Sequence, residues 1–512
     1  MDRKMLVGNF LPELVNRGFS IVKTEINEHT LAEILMEQEQ TLPIDLCHAK
    51  LGYQTYLGET YYFGQEEISG KLTSKYVGAL PMTHEGAFCE WQNFVNDILQ
   101  TNPILSLPLT MGCSAPVATR LKNAGATDET VLIALIGASS SGKTSSLRLS
   151  SSVWGRPSGD GIIDNLTGTE KYFFASLASR EGLPGFYDET SATTWDFTKA
   201  IYTVALSREG GRCNPDGTPK KRNNWSGAVI FTGETSMFHR TNGNAGLHAR
   251  LLEFDFPWFS DGETPDKICR FVSHNYGTAW QQFVSYLQTI DDLALLDLFD
   301  KAVKEIRKEI ALAEGFKEEN WKDKKFSGIQ NRIIKKLAIL LISADAMITA
   351  WDFTLDRAKF LEYILAAYDH NASRIDKIDE FCDSFVQTIT LNRNAFPEVA
   401  GSGFDISAKC SARGFQARNN QKNCVWVLAE EFEKELLKHG LETSRSTLKE
   451  LNNRGMIEHF GDRYKKAFKT GRISPLCYCF YQDSANISPP NPKNKKNKKK
   501  KTSKQLKSLL ED

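Results

Sequence analysis

Two short runs of the chain are apolar without interruption, Val131–Ile136 and Ala228–Phe231. A run of that length with no polar alternation predicts a strand buried on both faces, as in a parallel sheet. Residues 276–395 follow a different rhythm. Long stretches such as Leu293–Leu312 and Arg332–Trp351 repeat apolar positions at helical spacing and predict a mostly helical region. Its most apolar part, Leu337–Met347, is interrupted by Asp345 and falls short of the roughly 20 residues that span a bilayer. A core helix is expected there. Residues 1–110 mix strand-like aromatic runs (Tyr53–Tyr62) with helical stretches such as Glu90–Leu99. Gly401-Ser-Gly403 marks a boundary. Beyond it, Leu428, Phe432 and Leu436 line one face of a helix predicted over Val425–His439, with Gly440 as its stop. Thr443 or Ser444 caps a second helix that ends at Gly455, with Leu448 and Leu451 facing inward.

Composition adds a cellular setting. At 512 residues, 41% hydrophobic and 25% charged, the chain has ordinary globular usage and room for several domains. Ten cysteines form no Cys-x-x-Cys pair, which suits free thiols in a reducing cytoplasm. No signal-peptide pattern follows Met1, so a cytoplasmic protein without a membrane segment is expected. The formal net charge is zero, but the total misleads. Nine of the 63 basic residues lie in 491–512 against two of the 63 acidic ones, so the rest carries seven more acidic than basic residues.

Candidate chemistry begins directly after the first buried strand. Gly137-Ala138-Ser139-Ser140-Ser141-Gly142-Lys143-Thr144 fits the phosphate-loop pattern G-x-x-x-x-G-K-[ST]. About 0.03 chance matches are expected in a chain of this length. Glycines let successive N–H groups, through Ser145, turn inward at phosphate oxygens, and the helix that follows adds the positive end of its dipole. Lys143 is expected to reach the β- and γ-phosphates of ATP, and the Thr144 hydroxyl to ligate Mg²⁺.

About 45 residues on, Leu183-Pro-Gly-Phe-Tyr-Asp188-Glu189 supplies an acidic pair at a candidate strand end. Asp188 is expected to hold Mg²⁺ through water and Glu189 to polarise an attacking water. A surface Asp-Glu in a loop is the plainer reading, and Pro184 and Gly185 interrupt the strand. The gap leaves room for an intervening strand near Gly161–Leu166.

Between the acidic pair and the second buried strand, Arg208–Arg222 carries five basic residues around the turn signal Asn214-Pro-Asp-Gly217. It predicts a basic β-hairpin. The hairpin is either a solvated loop or a contact for DNA phosphates through Lys220, Lys221 and Arg222. Thr232, with Glu234 second, stands where a strand tip senses the γ-phosphate. Arg250 precedes a further strand-like run. Two roles are open to it: reaching a neighbouring subunit's nucleotide, or pairing with Glu253 or Asp255.

These motifs in this order, with Trp91-Gln-Asn-Phe-Val before the loop and Trp154-Gly-Arg-Pro157 after it, resemble domain-of-unknown-function family 927 over roughly residues 90–350. That family comprises helicase-like proteins of phages, integrated elements and chromosome cassettes. Its cassette members are similar to minichromosome-maintenance-like AAA+ helicases. The resemblance implies a hexameric ring, ATP hydrolysis between subunits and single-stranded DNA in the pore. It places Lys143 and Thr144 on phosphate and Mg²⁺, Asp188 and Glu189 at the water, and Arg250 at the position of a trans finger. Leu-Leu-Glu after Arg250 and Gly185 in the acidic strand depart from the pattern.

The expected fold class is therefore α/β. A P-loop NTPase core of the AAA+/helicase-like kind (111–275) follows an N-terminal α+β region (1–110). A helical, lid-like region (276–400), a winged-helix module (405–482) and a disordered basic tail (483–512) come after it. In the module, Arg445 and Lys449 share the outer face of the second helix and face DNA, unless the module serves protein contacts instead. The tail suits nonspecific phosphate binding, a nuclear-localisation pattern or mere solubility. An ATP-driven DNA motor and a regulatory ATPase switch without unwinding are the two functions compatible with these residues.

Overall fold

The computed structural model describes residues 14–15, 18, 20, 24–39, 41, 45–220, 222–241, 245–373, 377–399, 412–419, 422–439, 441–453, 455–468 and 474–481. Lys221, Gly401–Gly403, Gly440 and the tail 483–512 lie outside them.

The fold is mixed α/β. Its centre is a five-stranded sheet of β1 (Val131–Ile136), β2 (Ile163–Asn165), β3 (Gly185–Asp188), β4 (Ala228–Gly233) and β5 (Leu251–Asp255). All neighbours are parallel, in the spatial order β5-β1-β4-β3-β2. The unbroken apolar runs explain the architecture. Val131, Ile133, Leu135, Ile230 and Phe254 point to one face, where α1 (Ser106–Asn123), α2 (Lys143–Ser152) and later helices cover them. Leu132, Ala134, Ile136, Val229 and Phe231 point to the other, under α3 (Glu170–Leu177) and α4 (Phe197–Ala205). Each fully buried aliphatic or aromatic side chain contributes roughly 1.5–3 kcal/mol. Alternate residues of one strand thus stabilise two separate layers.

The helical stretches also form. α5 (Asp292–Ala313), α6 (Gly328–Trp351) and α7 (Arg357–Ser373) pack into the same core as α1. Ser327 and Gln330 close a reciprocal capping box at the start of α6. Asp345, the polar break in its apolar run, binds Arg357 at 2.7 Å. The edge strand β5 is covered by a side chain. Asn371 of α7 donates to the Glu253 carbonyl (2.8 Å) and accepts from the Glu253 N–H (2.9 Å), as a neighbouring strand would. The predicted aromatic run in the N-terminal region forms the hairpin Leu51–Tyr56 and Glu59–Phe63. Its first strand pairs in parallel with Arg180–Glu181, joining this region to the core.

The C-terminal segment corrects one expectation. Val425–Leu428 is not helical. It ends a strand, β7 (Lys422–Leu428), which pairs with β6 (Gly414–Asn419) and with β9 (Leu476–Phe480). The β-branched and aromatic run Cys424-Val-Trp-Val427 is buried on both faces of a four-stranded antiparallel sheet that β8 (Lys465–Ala467) completes. The helical spacing of Leu428, Phe432 and Leu436 holds only from α8 (Ala429–Lys438) onward. α9 (Arg445–Asn453) follows, capped by Ser444, whose hydroxyl accepts the Thr447 N–H at 3.1 Å. Met456–Phe460 makes only isolated bridges, Ile457 to Phe480 and Phe460 to Arg463. No helix among the described residues is long and apolar enough to cross a membrane.

One buried cation joins helices to sheet. The Lys336 ammonium of α6 donates to the carbonyls of Ala249 (2.7 Å) and Arg250 (2.8 Å) and pairs with Glu129 at 3.0 Å. Burial lowers its pKa to about 8, against the opposing pull of Glu129. Lys336→Met should cost about 3 kcal/mol, read as a lower urea midpoint, because it leaves two carbonyls without their donor and takes from Glu129 the nearest of its three cations, Arg332 and Arg250 standing at 3.7 and 3.8 Å. Between about 8 and the ~10.4 of a free lysine, the unfolded chain holds the extra proton. Wild-type stability should therefore climb with pH across that window, and the variant should lack the climb.

Candidate nucleotide site

β1 delivers the chain into the loop Gly137–Gly142, and α2 begins at Lys143. Gly142, the residue before the helix, has φ +88°, and a Cβ there would lie 2.0 Å from the Phe259 ring. It also has no side chain to cap the first-turn N–H groups, so no side-chain cap closes this helix start. Ser140 adopts φ +61°, a left-handed conformation that serine rarely takes. Ser139, Ser140 and Ala138 form the exposed or partly exposed rim of the loop. Ser145, in the first turn of α2, accepts from the Cys269 thiol at 3.4 Å. The Lys143 ammonium folds back across the loop. It donates to the carbonyls of Gly137 (2.9 Å) and Ala138 (2.6 Å) and to Ser141 Oγ (3.2 Å).

The acidic pair sits at the end of β3, two strands away from β1, because β4 intervenes. Pro184 and Gly185 shorten β3 without removing it; the Pro184 carbonyl accepts from buried Arg180 at 2.7 Å. Asp188 Oδ1 accepts from the Thr144 hydroxyl at 3.1 Å and from the Thr232 hydroxyl. Thr232 in turn accepts the Glu189 N–H at 2.9 Å. Residues separated by more than forty positions are thus joined through the tips of neighbouring strands. Glu189 has φ +61°, a backbone conformation that costs of order 1–3 kcal/mol in a non-glycine residue. Its carboxylate accepts from Ser191 N–H at 3.2 Å and from the Ser191 hydroxyl. Glu234 is exposed and has no such place in the network.

The chemistry of this donor and acceptor set fits a nucleoside triphosphate with a divalent cation. It offers uncapped helix N–H groups, one ammonium, and a hydroxyl–carboxylate pair side by side.

Arg250 lies at the opposite, N-terminal end of β5, a strand's length of roughly 17 Å from the loop end of the sheet. It pairs with neither Glu253 nor Asp255. Its Nη1 donates to the Gly246 carbonyl (2.7 Å), its guanidinium lies 4.6 Å from the Tyr202 ring centroid, and Glu129 is 3.8 Å away. Glu253 is buried and serves Ser236 Oγ (3.0 Å) and the Met237 N–H (2.7 Å) instead.

Arg208–Asn224 folds as a hairpin. Asn214 and Gly217 close its turn, and Lys220 N–H donates to the Arg212 carbonyl at 2.8 Å. Lys220 and Arg222 are exposed. The hairpin enters β4 at the end opposite the loop. Arg445 and Lys449 are both exposed on α9. Neither group approaches the Lys143–Asp188 cluster through any hydrogen bond or ion pair among the described residues.

Sequence reasoning missed Arg240. It donates to the carbonyls of Thr190 (3.0 Å), Thr193 and Trp195 (3.2 Å) and lies 4.7 Å from the Phe197 ring centroid, fixing the segment after Glu189. Its partners are backbone carbonyls, which leave no residue pattern to find.

With this geometry in place, two likenesses to known proteins can be set beside it, one of fold and one of sequence. A solved structure titled "SCCmec type IV Cch - active helicase" superposes with a TM-score of 0.71 at 22% identity, covering 93% of this chain and 87% of that one. At that identity the likeness shows the fold. Residues 1–224 match the family described as "Domain of unknown function (DUF927)". The resemblance drawn from the motifs is borne out, although the match starts at residue 1 and stops at 224 rather than running from 90 to 350. No curated protein matches the chain.

Gly142→Ala should destabilise the protein by at least about 2 kcal/mol, from the left-handed backbone and the Phe259 overlap together. In a Phe259→Ala background the added cost should shrink, and a thermal-denaturation double-mutant cycle measures the difference.

Proposed function

We propose that the chain is an ATP-dependent DNA motor, a helicase or translocase of a phage or mobile element that moves on single-stranded DNA. The observation that carries the reading is the pairing of Thr144 with Asp188 at 3.1 Å, beside Lys143 and Glu189. That pairing is what a Mg²⁺–phosphate site and its neighbouring base require. In this reading, Lys143 leaves its own loop carbonyls for the β- and γ-phosphates, and Thr144 and Asp188 hold Mg²⁺. Glu189 orients the attacking water, and Thr232 reports the state of the γ-phosphate side to it. ATP supplies the free energy of phosphoryl transfer.

The same reading makes residues 111–275 a P-loop core of the AAA+ kind, 276–400 its lid and 405–482 a winged helix. Lys220, Lys221 and Arg222 contact the strand in the pore of a hexameric ring, and Arg445 and Lys449 contact DNA at its rim. Arg250, too far from its own chain's loop, acts on a neighbour's nucleotide. The fold shared with a structure whose title names an active helicase supports this reading. The second reading, an ATPase switch without unwinding, draws on the contacts that hold Arg250 within its own chain.

ATPase and strand-displacement assays separate the two. Wild type should hydrolyse ATP faster with single-stranded DNA and displace a paired strand. Lys143→Ala should lose both activities, and Glu189→Gln should slow turnover by about 10²-fold or more while still binding nucleotide. DNA binding should weaken steeply with salt. Hydrolysis that ignores DNA, without displacement, would leave the switch reading in place of the motor.

A further inference from the structure

A pocket lies in the helical region, away from the Lys143–Asp188 site. It is open to solvent and offers about 420 Å³, within the roughly 300–1,000 Å³ of small-molecule sites. Its lining is Lys304 and Arg307 of α5, Trp321, Lys322, Lys324 and Phe326 of the connecting segment, and Asn331 of α6. α5 carries both glutamates and aspartates, yet no carboxylate lines the cavity.

The groups are held in place. Lys304 and Arg307, three positions apart, share a face of α5. Arg307 Nη2 donates to Asn331 Oδ1 at 2.7 Å, and Asn331 Nδ2 donates to the Phe326 carbonyl at 3.1 Å. The Lys324 ammonium lies 5.0 Å from the Phe326 ring centroid and is paired with Glu314. Three cations remain without a carboxylate partner among the described residues, Lys304, Arg307 and Lys322. Arg307 Nε is buried and has no hydrogen-bond acceptor.

We infer that this cavity binds a nucleotide unit, its base against the Trp321 ring and its phosphate on Lys304, Arg307 and Lys322. A cavity that combines aromatic faces, uncompensated cations and one amide matches a planar π system joined to an anion. The aromatic rings accept any base by stacking, and the Asn331 amide has both donor and acceptor capacity for a base edge. The unit comes either from a single strand passing over α5 or from a free mononucleotide. The site does not use Lys143 or ATP hydrolysis, so it stands apart from the motor reading.

The test is photo-cross-linking of the full chain, without ATP, to an oligothymidylate carrying 5-iodouracil, with peptide mapping and affinity by fluorescence anisotropy. A cross-link within Trp321–Phe326 is expected. Trp321→Ala should weaken binding roughly tenfold, and Trp321→Phe should retain most of it. The exposed pair Lys304→Glu/Lys322→Glu should weaken binding and flatten its salt dependence, the slope falling by about 0.7 for each phosphate that the lysines no longer neutralise. Lys143→Ala should cross-link as wild type does. Displacement by free thymidine monophosphate would identify a mononucleotide site; displacement only by oligomers would identify a strand-tracking one. Cross-links confined to other segments, with wild-type affinity in Trp321→Ala and wild-type affinity and salt slope in Lys304→Glu/Lys322→Glu, would overturn the inference.

Discussion

A parallel strand covered on both faces has no side on which to place polar chemistry. That constraint governs this molecule. Val131–Ile136 and Ala228–Gly233 bury every residue, so the polar groups that matter stand just beyond or at the tips of the strands. The loop after β1, Asp188 ending β3 and Thr232 near the end of β4 converge because parallel strands end on the same side. Arg250 and the basic hairpin stand at the other ends for the same reason. Two sets of candidate groups are separated by the length of the sheet, and a single chain cannot bring them together.

Sequence spacing made much of this legible. The apolar runs predicted β1 and β4, the loop motif placed α2, and the gap before Asp188 left room for β2. Each of these is a local signal: a run, a glycine pattern, a turn. The failures are also local in cause. Val425–Leu428 carries apolar positions that extend the helical rhythm of Phe432 and Leu436, but its β-branched residues pair with β9. Periodicity alone does not distinguish a short buried strand from the first turn of a helix.

What the sequence hid are contacts between side chains and distant backbone. Arg240 fixes the segment after Glu189 through three carbonyls, and Asn371 covers the edge of β5 through one N–H and one C=O. Glu129 answers Lys336, which lies more than two hundred positions later. Backbone groups are present at every residue, so no composition or spacing marks the ones that are used. The hydrogen-bond chain Thr144–Asp188–Thr232–Glu189 is intermediate in kind. Its members were identifiable as separate motifs, but the shared acceptor appears only when three strands are aligned.

Lys336 has a mechanical consequence. α6 is 24 residues long and stiff along its axis, and its buried ammonium grips the two carbonyls that lead into β5. A tilt of the helix must either drag the Ala249–Arg250 backbone with it or break two hydrogen bonds and an ion pair at once. The fold therefore contains a strut, with the helical region at one end and the Ala249–Arg250 backbone at the other. A shift of α6 that keeps those bonds carries with it the backbone on which that arginine stands.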